Sequence, residues 1–123
     1  MTLHYAPARL TALLPQVQSG AMFFHLAVHQ DQVVGYCHLG LTPRGAELFR
    51  LYLHPAYIGR GIGWALLQQG EAFVRSHGLD AYFCFVHQHN ELGKRFYLRR
   101  GFQHVAAQDR ADEWYMEKAL PAR

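Results

Sequence analysis

The sequence predicts an α/β (α+β) fold in one domain, residues 1–123, with a central sheet of about six to seven strands flanked by helices. Three observations predict it. Apolar segments of strand length recur from "MFFHLAVH" to "EWYMEKAL". Two stretches with helical spacing interrupt them, one after a glycine-rich loop and one after Asn90, and they end at Gly78 and Gly101. No linker, repeat or low-complexity segment divides the chain, whose 123 residues are enough for a single core.

In chain order, "TLHYA" is a short strand. Pro7 suits a helix start, Leu10, Leu13, Leu14 and Val17 follow helical spacing, Pro15 limits that helix and Ser19-Gly20 breaks it. "MFFHLAVH" and "VVGYCHLGL" form a hairpin-like pair around "QDQ". "AELFRLYLH" is a long strand after the turn "TPRG", and alternation sets Glu47, Phe49, Leu51 and Leu53 on one face. A helix then runs to about Ser76 with Ile62, Ala65, Leu66, Gln69 and Phe73 on its buried face. "DAYFCFVH" is nearly unbroken apolar, the pattern of a strand covered on both faces. "NELGKRFYLRR" is a second helix capped by Asn90, and "FQHVAA" and "EWYMEKAL" are the last strands.

Composition bounds the function. The chain is 50% hydrophobic and 17% charged, with no apolar run long enough to span a membrane and no signal-peptide pattern at "MTLHYAPARL". A net charge of +3 is compatible with an anionic ligand and too mild to demand nucleic acid. Cys37 and Cys84 lie far apart inside apolar runs, the pattern of buried thiols in a reducing cytoplasm. The nine histidines include no His-Glu-x-x-His signature; His25 with His29, and His87 with His89, could share strand faces, but two ligands do not make a site, so no metal is expected.

The segment "PAYIGRGIGWALL" places Gly59, Gly61 and Gly63 directly before a helix, after a strand. First-turn amides have no partner inside their helix, and the helix dipole there favours negative charge. A glycine-rich approach lets phosphate oxygens reach those amides. Gly63 is followed by Trp64 rather than Lys-Ser/Thr, which excludes a P-loop, and the third glycine of a dinucleotide fingerprint is missing. Taken alone, the glycines leave open a tight strand-to-helix turn that binds nothing.

Together with "NELGKRFYLRRGF", the loop resembles the GNAT superfamily of N-acetyltransferases. Gly61 and Gly63 match the family's Arg/Gln-x-x-Gly-x-Gly/Ala loop, and Asn90, Phe96, Tyr97, Gly101 and Phe102 match its Asn-x-x-Ala-x-x-Phe-Tyr-x-x-x-Gly-Phe helix. "VVGY", "LYLHP" and "YMEKAL" look like family strands, so the resemblance covers Met22 to Leu120. It implies a mixed, mostly antiparallel sheet and direct acetyl transfer from acetyl-coenzyme A to a primary amine. Three departures stand out. Ile58 replaces the usual Arg or Gln, and Gly93 replaces an alanine at a cost of roughly 1 kcal/mol of helix propensity. The N-terminal helical part is short, which leaves the acceptor cleft open or covered by a second subunit.

The resemblance also implies roles. Residues Ile58, Gly59, Arg60, Gly61, Ile62, Gly63 and Trp64 would hold the coenzyme A pyrophosphate, and the backbone of Leu51, Tyr52 and Leu53 the pantetheine arm, with Asn90 beside it. Arg99 would reach the ribose 3′-phosphate or lie on a solvated helix face. A lysine-like amine has a pKa of about 10.4, so a base is needed at neutral pH. Glu47 stands where histone-type members carry theirs, with His25, His38 and water as competitors. Tyr97 is the candidate acid beside the sulfur, and it also fits a core position with Leu92 and Phe96. A homodimer is expected, with neither nucleic acid nor membrane as partner. The alternative is a non-catalytic acyl-coenzyme A-binding module; the acceptor is unspecified among small, polyamine and protein amines.

Overall fold

A computed structural model describes residues 21–121. The expected strand at "TLHYA", the helix from Pro7 to Val17 and the short N-terminal helical part lie outside the described residues. Ten elements follow: β1 Met22–His29, β2 Gln32–Thr42, β3 Gly45–Leu53, a 3₁₀ turn Pro55–Tyr57, α1 Ile62–Ser76, β4 Ala81–His87, α2 Glu91–Arg99, β5 Gln103–His104, a 3₁₀ turn Ala106–Gln108 and β6 Glu113–Ala119. The strands form one six-stranded sheet in the order β1-β2-β3-β4-β6-β5. Every neighbouring pair is antiparallel except β3–β4, which is parallel. The mixed, mostly antiparallel sheet is as expected.

Local chemistry explains most boundaries. The β1–β2 hairpin closes through Gln30 and Asp31 at φ 52° and 63°, the left-handed pair that a two-residue hairpin turn requires. Helix α1 ends with the Gly78 N–H on the Arg75 carbonyl at 2.9 Å, and Gly78 takes φ 74° as the residue past the cap. β4 reads apolar because Tyr82, Phe83, Cys84 and Val86 are all buried.

Three sequence expectations are corrected. "FQHVAA" shrinks to two strand residues, Gln103–His104. The Asp109 carboxylate accepts the Tyr115 N–H at 2.7 Å and meets His104 at 2.9 Å, which turns the chain out of the ladder. The buried face of α1 is Leu66, Leu67, Gly70, Glu71 and Val74, while Ala65 and Gln69 are exposed. Apolarity alone could not place Glu71 inside, because its partners come from other strands: Tyr82 Oη and Lys118 Nζ each donate to Glu71 Oε2 at 2.6 Å. Gly70 brings α1 close to the sheet, since a Cβ there would stand 2.6 Å from Leu39 Cδ1.

The third correction concerns β3. Leu39 pairs with Leu48 but His38 pairs with Arg50, so Phe49 is the extra residue of a β-bulge. Alternation restarts there. Glu47 and Phe49 stay on the face away from the core, whereas Leu51 packs against the core that holds Ala46 and Leu48. Both helices lie on one face, over a core that includes Cys37, Leu39, Leu67, Val74, Cys84, Tyr97 and Met116.

The Glu71–Lys118 pair should be a test of this packing. Both residues are under a tenth exposed, at 6% and 8%. Removing one partner strands a buried charge, so Lys118→Ala is expected to cost about 3–5 kcal/mol in urea unfolding. The Glu71→Leu, Lys118→Met double variant should recover most of it. A single-variant loss below about 1 kcal/mol would mean that the pair does not hold the helix to the sheet.

Candidate active site

Two features meet at the ends of β3 and β4. The first is a gap in the sheet. β3 and β4 share only the pairs Ala46↔Tyr82, Glu47↔Phe83 and Leu48↔Cys84. β3 runs on to Leu53 and β4 to His87 without further pairing to each other. Each keeps its other neighbour, β2 as far as Leu53 and β6 as far as Glu113. The β3 edge from Leu51 to Leu53 therefore faces the gap with main-chain groups not used by β4.

The second feature is the glycine loop. The chain is tied down as far as Ile58: the His54 N–H donates to the Val34 carbonyl at 2.7 Å, Tyr57 to His54 at 2.8 Å and Ile58 to Pro55 at 3.3 Å. Beyond it, Gly59 and Gly61 take φ 84° and 80°, and a Cβ on either would meet open space. Gly61 caps α1 without a side-chain bond, and the first bond of the helix is the Ala65 N–H on Gly61 at 3.0 Å. The amides of Ile62, Gly63 and Trp64 have no acceptor among the described residues. They form a helix N-terminus with donors to spare. Ile58 is exposed and Arg60 stacks over the Tyr57 ring at 5.1 Å, so neither side chain crosses the loop.

Helix α2 lies against this turn. A Cβ on Gly63 would stand 3.4 Å from Phe96, and Trp64 is half-buried with Arg100 and Lys118 at 5.0 and 4.9 Å from its ring. Asn90 caps α2, accepting the Gly93 N–H at 3.0 Å. Here the expected cost of Gly93 has a reason: a Cβ at 93 would stand 2.5 Å from Asn90 Nδ2. Glycine lets the Asn90 amide fold onto the first turn. Tyr97 is 9% exposed, between the Phe96 and Phe102 rings at 5.4 and 5.1 Å. Burial pushes its hydroxyl well above the ordinary tyrosine value, so it stays protonated.

Glu47 lies on the opposite face, half-buried beside the last β3–β4 pair. Burial pushes its carboxyl above the usual value; Arg110 and Arg44 pull the other way, and Glu113 adds to the rise. His38 shares that face, 5.1 Å from the Phe49 ring, while His25 stacks on Phe23 toward α1. The acid and base candidates thus flank the sheet where its ladder ends. Arg99 is exposed at the end of α2, lining with Trp64, Arg75, Arg100 and Lys118 a cleft of about 680 Å³ along α1 rather than the loop itself. Sequence reasoning missed the surroundings of Glu47: Arg44, Phe83, Phe85, Arg110, Glu113 and Tyr115. They come from distant loops and strands and carry no local motif. Among the described residues no group of three His, Cys, Asp or Glu could hold a metal ion, and no helix is long and apolar enough to cross a membrane.

Comparison with known proteins gives this geometry a context. Residues 3–102 match the model of the acetyltransferase (GNAT) family. The chain is 32% identical over 115 residues to spermidine N(1)-acetyltransferase of Thermoplasma acidophilum, covering 93% of this chain and 70% of that protein. It is 31% identical to an uncharacterized N-acetyltransferase of Lactobacillus delbrueckii subsp. lactis, covering 82% of this chain and 66% of the relative. Among solved structures, the PaiA N-acetyltransferase from Thermoplasma acidophilum in complex with coenzyme A superposes with a TM-score of 0.83 at 29% identity, over 92% of this chain and 70% of that one.

Proposed function

As this chain belongs to the acetyltransferase (GNAT) family, we propose that it moves an acetyl group from acetyl-coenzyme A directly to a primary amine, with a polyamine as acceptor. The observation that carries the reading is the set of free first-turn amides on α1 beside a sheet gap. The residues fit the co-substrate. The amides of Ile62, Gly63 and Trp64 would take pyrophosphate oxygens, each charge-assisted bond contributing roughly 1.5–3 kcal/mol. The Leu51–Leu53 edge would hold the amide-bearing pantetheine arm in the gap, with Asn90 at its side. Arg99 and the cleft along α1 would face the 3′-phosphate. The polyamine is supported by the spermidine enzyme among the relatives and by the carboxylates and aromatic rings around Glu47.

In the mechanism, Glu47 takes a proton from the acceptor ammonium. The amine nitrogen bonds to the acetyl carbon and gives up a second proton to water, the carbon–sulfur bond breaks, and its electron pair goes to sulfur. The Tyr97 hydroxyl donates a hydrogen bond to that sulfur. Its raised pKa makes full proton transfer uphill, so it acts chiefly as a donor to growing negative charge, and water protonates the thiolate as the product leaves. The raised pKa of Glu47 makes it a better base than an exposed carboxylate. The free buried thiols Cys37 and Cys84 fit a cytoplasmic enzyme. A second copy is the proposed cover for the exposed Leu26 and Val28 on β1, Leu41 on β2 and Phe49 on β3.

Three measurements test the reading. Gly61→Glu fills the open side of the loop and adds a negative charge at φ 80°, so coenzyme A affinity by calorimetry should fall at least tenfold, about the worth of one charge-assisted bond. Unchanged affinity would remove the pyrophosphate from this loop. For the chemistry, Tyr97→Phe should lower kcat roughly 10- to 1,000-fold with KM for acetyl-coenzyme A nearly unchanged. Wild-type kcat/KM should fall as pH drops through the Glu47 pKa, which lies above the usual carboxylate value. Glu47→Gln should lack that acid limb, and its defect should shrink as pH rises and more amine is neutral. Full turnover by Tyr97→Phe would make the hydroxyl structural. Light scattering at micromolar concentration should give a dimer mass, and a monomer would count against the second copy.

A further inference from the structure

The face that carries Glu47 already holds a cation. Phe85 is the first β4 residue past the ladder shared with β3, and its ring meets Tyr115 at 5.5 Å and Phe83 at 6.0 Å. The Arg110 guanidinium lies 3.6 Å from the centre of the Phe85 ring. Arg110 Nε donates to Glu113 Oε1 at 2.8 Å. An aromatic face and a carboxylate are the two partners that an alkylammonium group also seeks.

Arg110 is held loosely there. Its side chain is 58% exposed, so the ion pair contributes little to its hold. The turn beneath it is closed by main chain alone: the Arg110 N–H donates to Glu113 at 3.1 Å and the Glu113 N–H returns to Arg110 at 2.8 Å. The guanidinium can swing away without opening the turn. Arg44 differs, since it donates to Gln108 at 3.0 Å and lies 5.6 and 5.7 Å from the Phe83 and Tyr115 rings.

We propose that Phe85 and Glu113 form a subsite for the second ammonium group of a di- or polyamine acceptor, and that Arg110 occupies it until the acceptor displaces the guanidinium. The near amine then faces Glu47 while the far one rests on Phe85. Arg110 sets selectivity, because only an acceptor with a second cation gains what the guanidinium gives up. The inference rests on the proposed amine acetylation.

The test is steady-state kinetics of the full chain with acetyl-coenzyme A and either spermidine or hexylamine. Arg110→Ala should lower KM for spermidine about tenfold relative to KM for hexylamine, the size of a part-exposed cation–π contact and ion pair together, with KM for acetyl-coenzyme A unchanged; loss of the Arg110 charge also raises the Glu47 pKa, and that change acts on both amines alike. Adding Glu113→Gln should abolish the gain. Arg110→Gln, which keeps more of the side-chain volume, should show the same drop; a drop confined to Arg110→Ala would come from an unsettled turn and overturn the subsite. An unchanged spermidine KM overturns the subsite, and a raised one shows that Arg110 itself holds the acceptor and also overturns it. If the wild type acetylates no amine, the proposed function fails by itself; spermidine binding by calorimetry then decides the subsite, being tighter in Arg110→Ala if it exists and equal if it does not.

Discussion

The site depends on a parallel ladder that stops early. β3 and β4 pair at Ala46–Leu48 and then part, each retaining its antiparallel neighbour. Two half-sheets therefore diverge at one end while nearly all their other main-chain bonds stay made. What holds the closed end together is a buried charge cluster. α1 packs on β1, β2 and β3, but Glu71 on that helix reaches across to Tyr82 on β4 and Lys118 on β6. A carboxylate that deep is tolerated only because two donors meet it. The clamp crosses the seam between the halves at its closed end and leaves the other end open.

The open end separates two chemical environments. On the helix face, Tyr97 sits among aromatic rings and keeps its proton. On the far face, Glu47 is half-buried among arginines, a second glutamate and aromatic rings. Burial raises both groups by the same desolvation, which keeps the phenol protonated and makes the carboxylate more basic. A donor with its phosphates on the α1 amides and an acceptor cation on the far face would meet only through the gap.

The features that were legible in the residues are short-range ones. The glycine loop, the Asn90 cap, the helix ends at Gly78 and Gly101 and the apolar run of β4 each depend on neighbours within a few positions. The features that were not legible involve partners far along the chain. Helical spacing puts Gln69 on the buried face and does not single out Glu71, because apolarity cannot report that Tyr82 and Lys118 wait opposite Glu71. Phe49 was assigned to the face of Leu51, because a bulge is a mismatch between two strands and neither strand alone contains it. Gly93 looked like a loss of helix propensity until the folded Asn90 amide occupied the space of its missing methyl group.

The sequence by itself determined the order of the described strands and helices and the anion-ready helix start; Tyr97 and Glu47, around which a transfer mechanism can be written, are singled out by the resemblance to a known family. Periodicity, glycine conformational freedom and capping act locally, so they survive reading one chain at a time. Only the tertiary structure decided that Tyr97 and Glu47 face opposite sides of the sheet, that β3 and β4 separate between them, and that Arg110 rests on Phe85. Those are relations between segments up to 63 residues apart, as from Glu47 to Arg110. They arise because strand register, burial and ion pairing are settled together when the core closes, and no local pattern carries them.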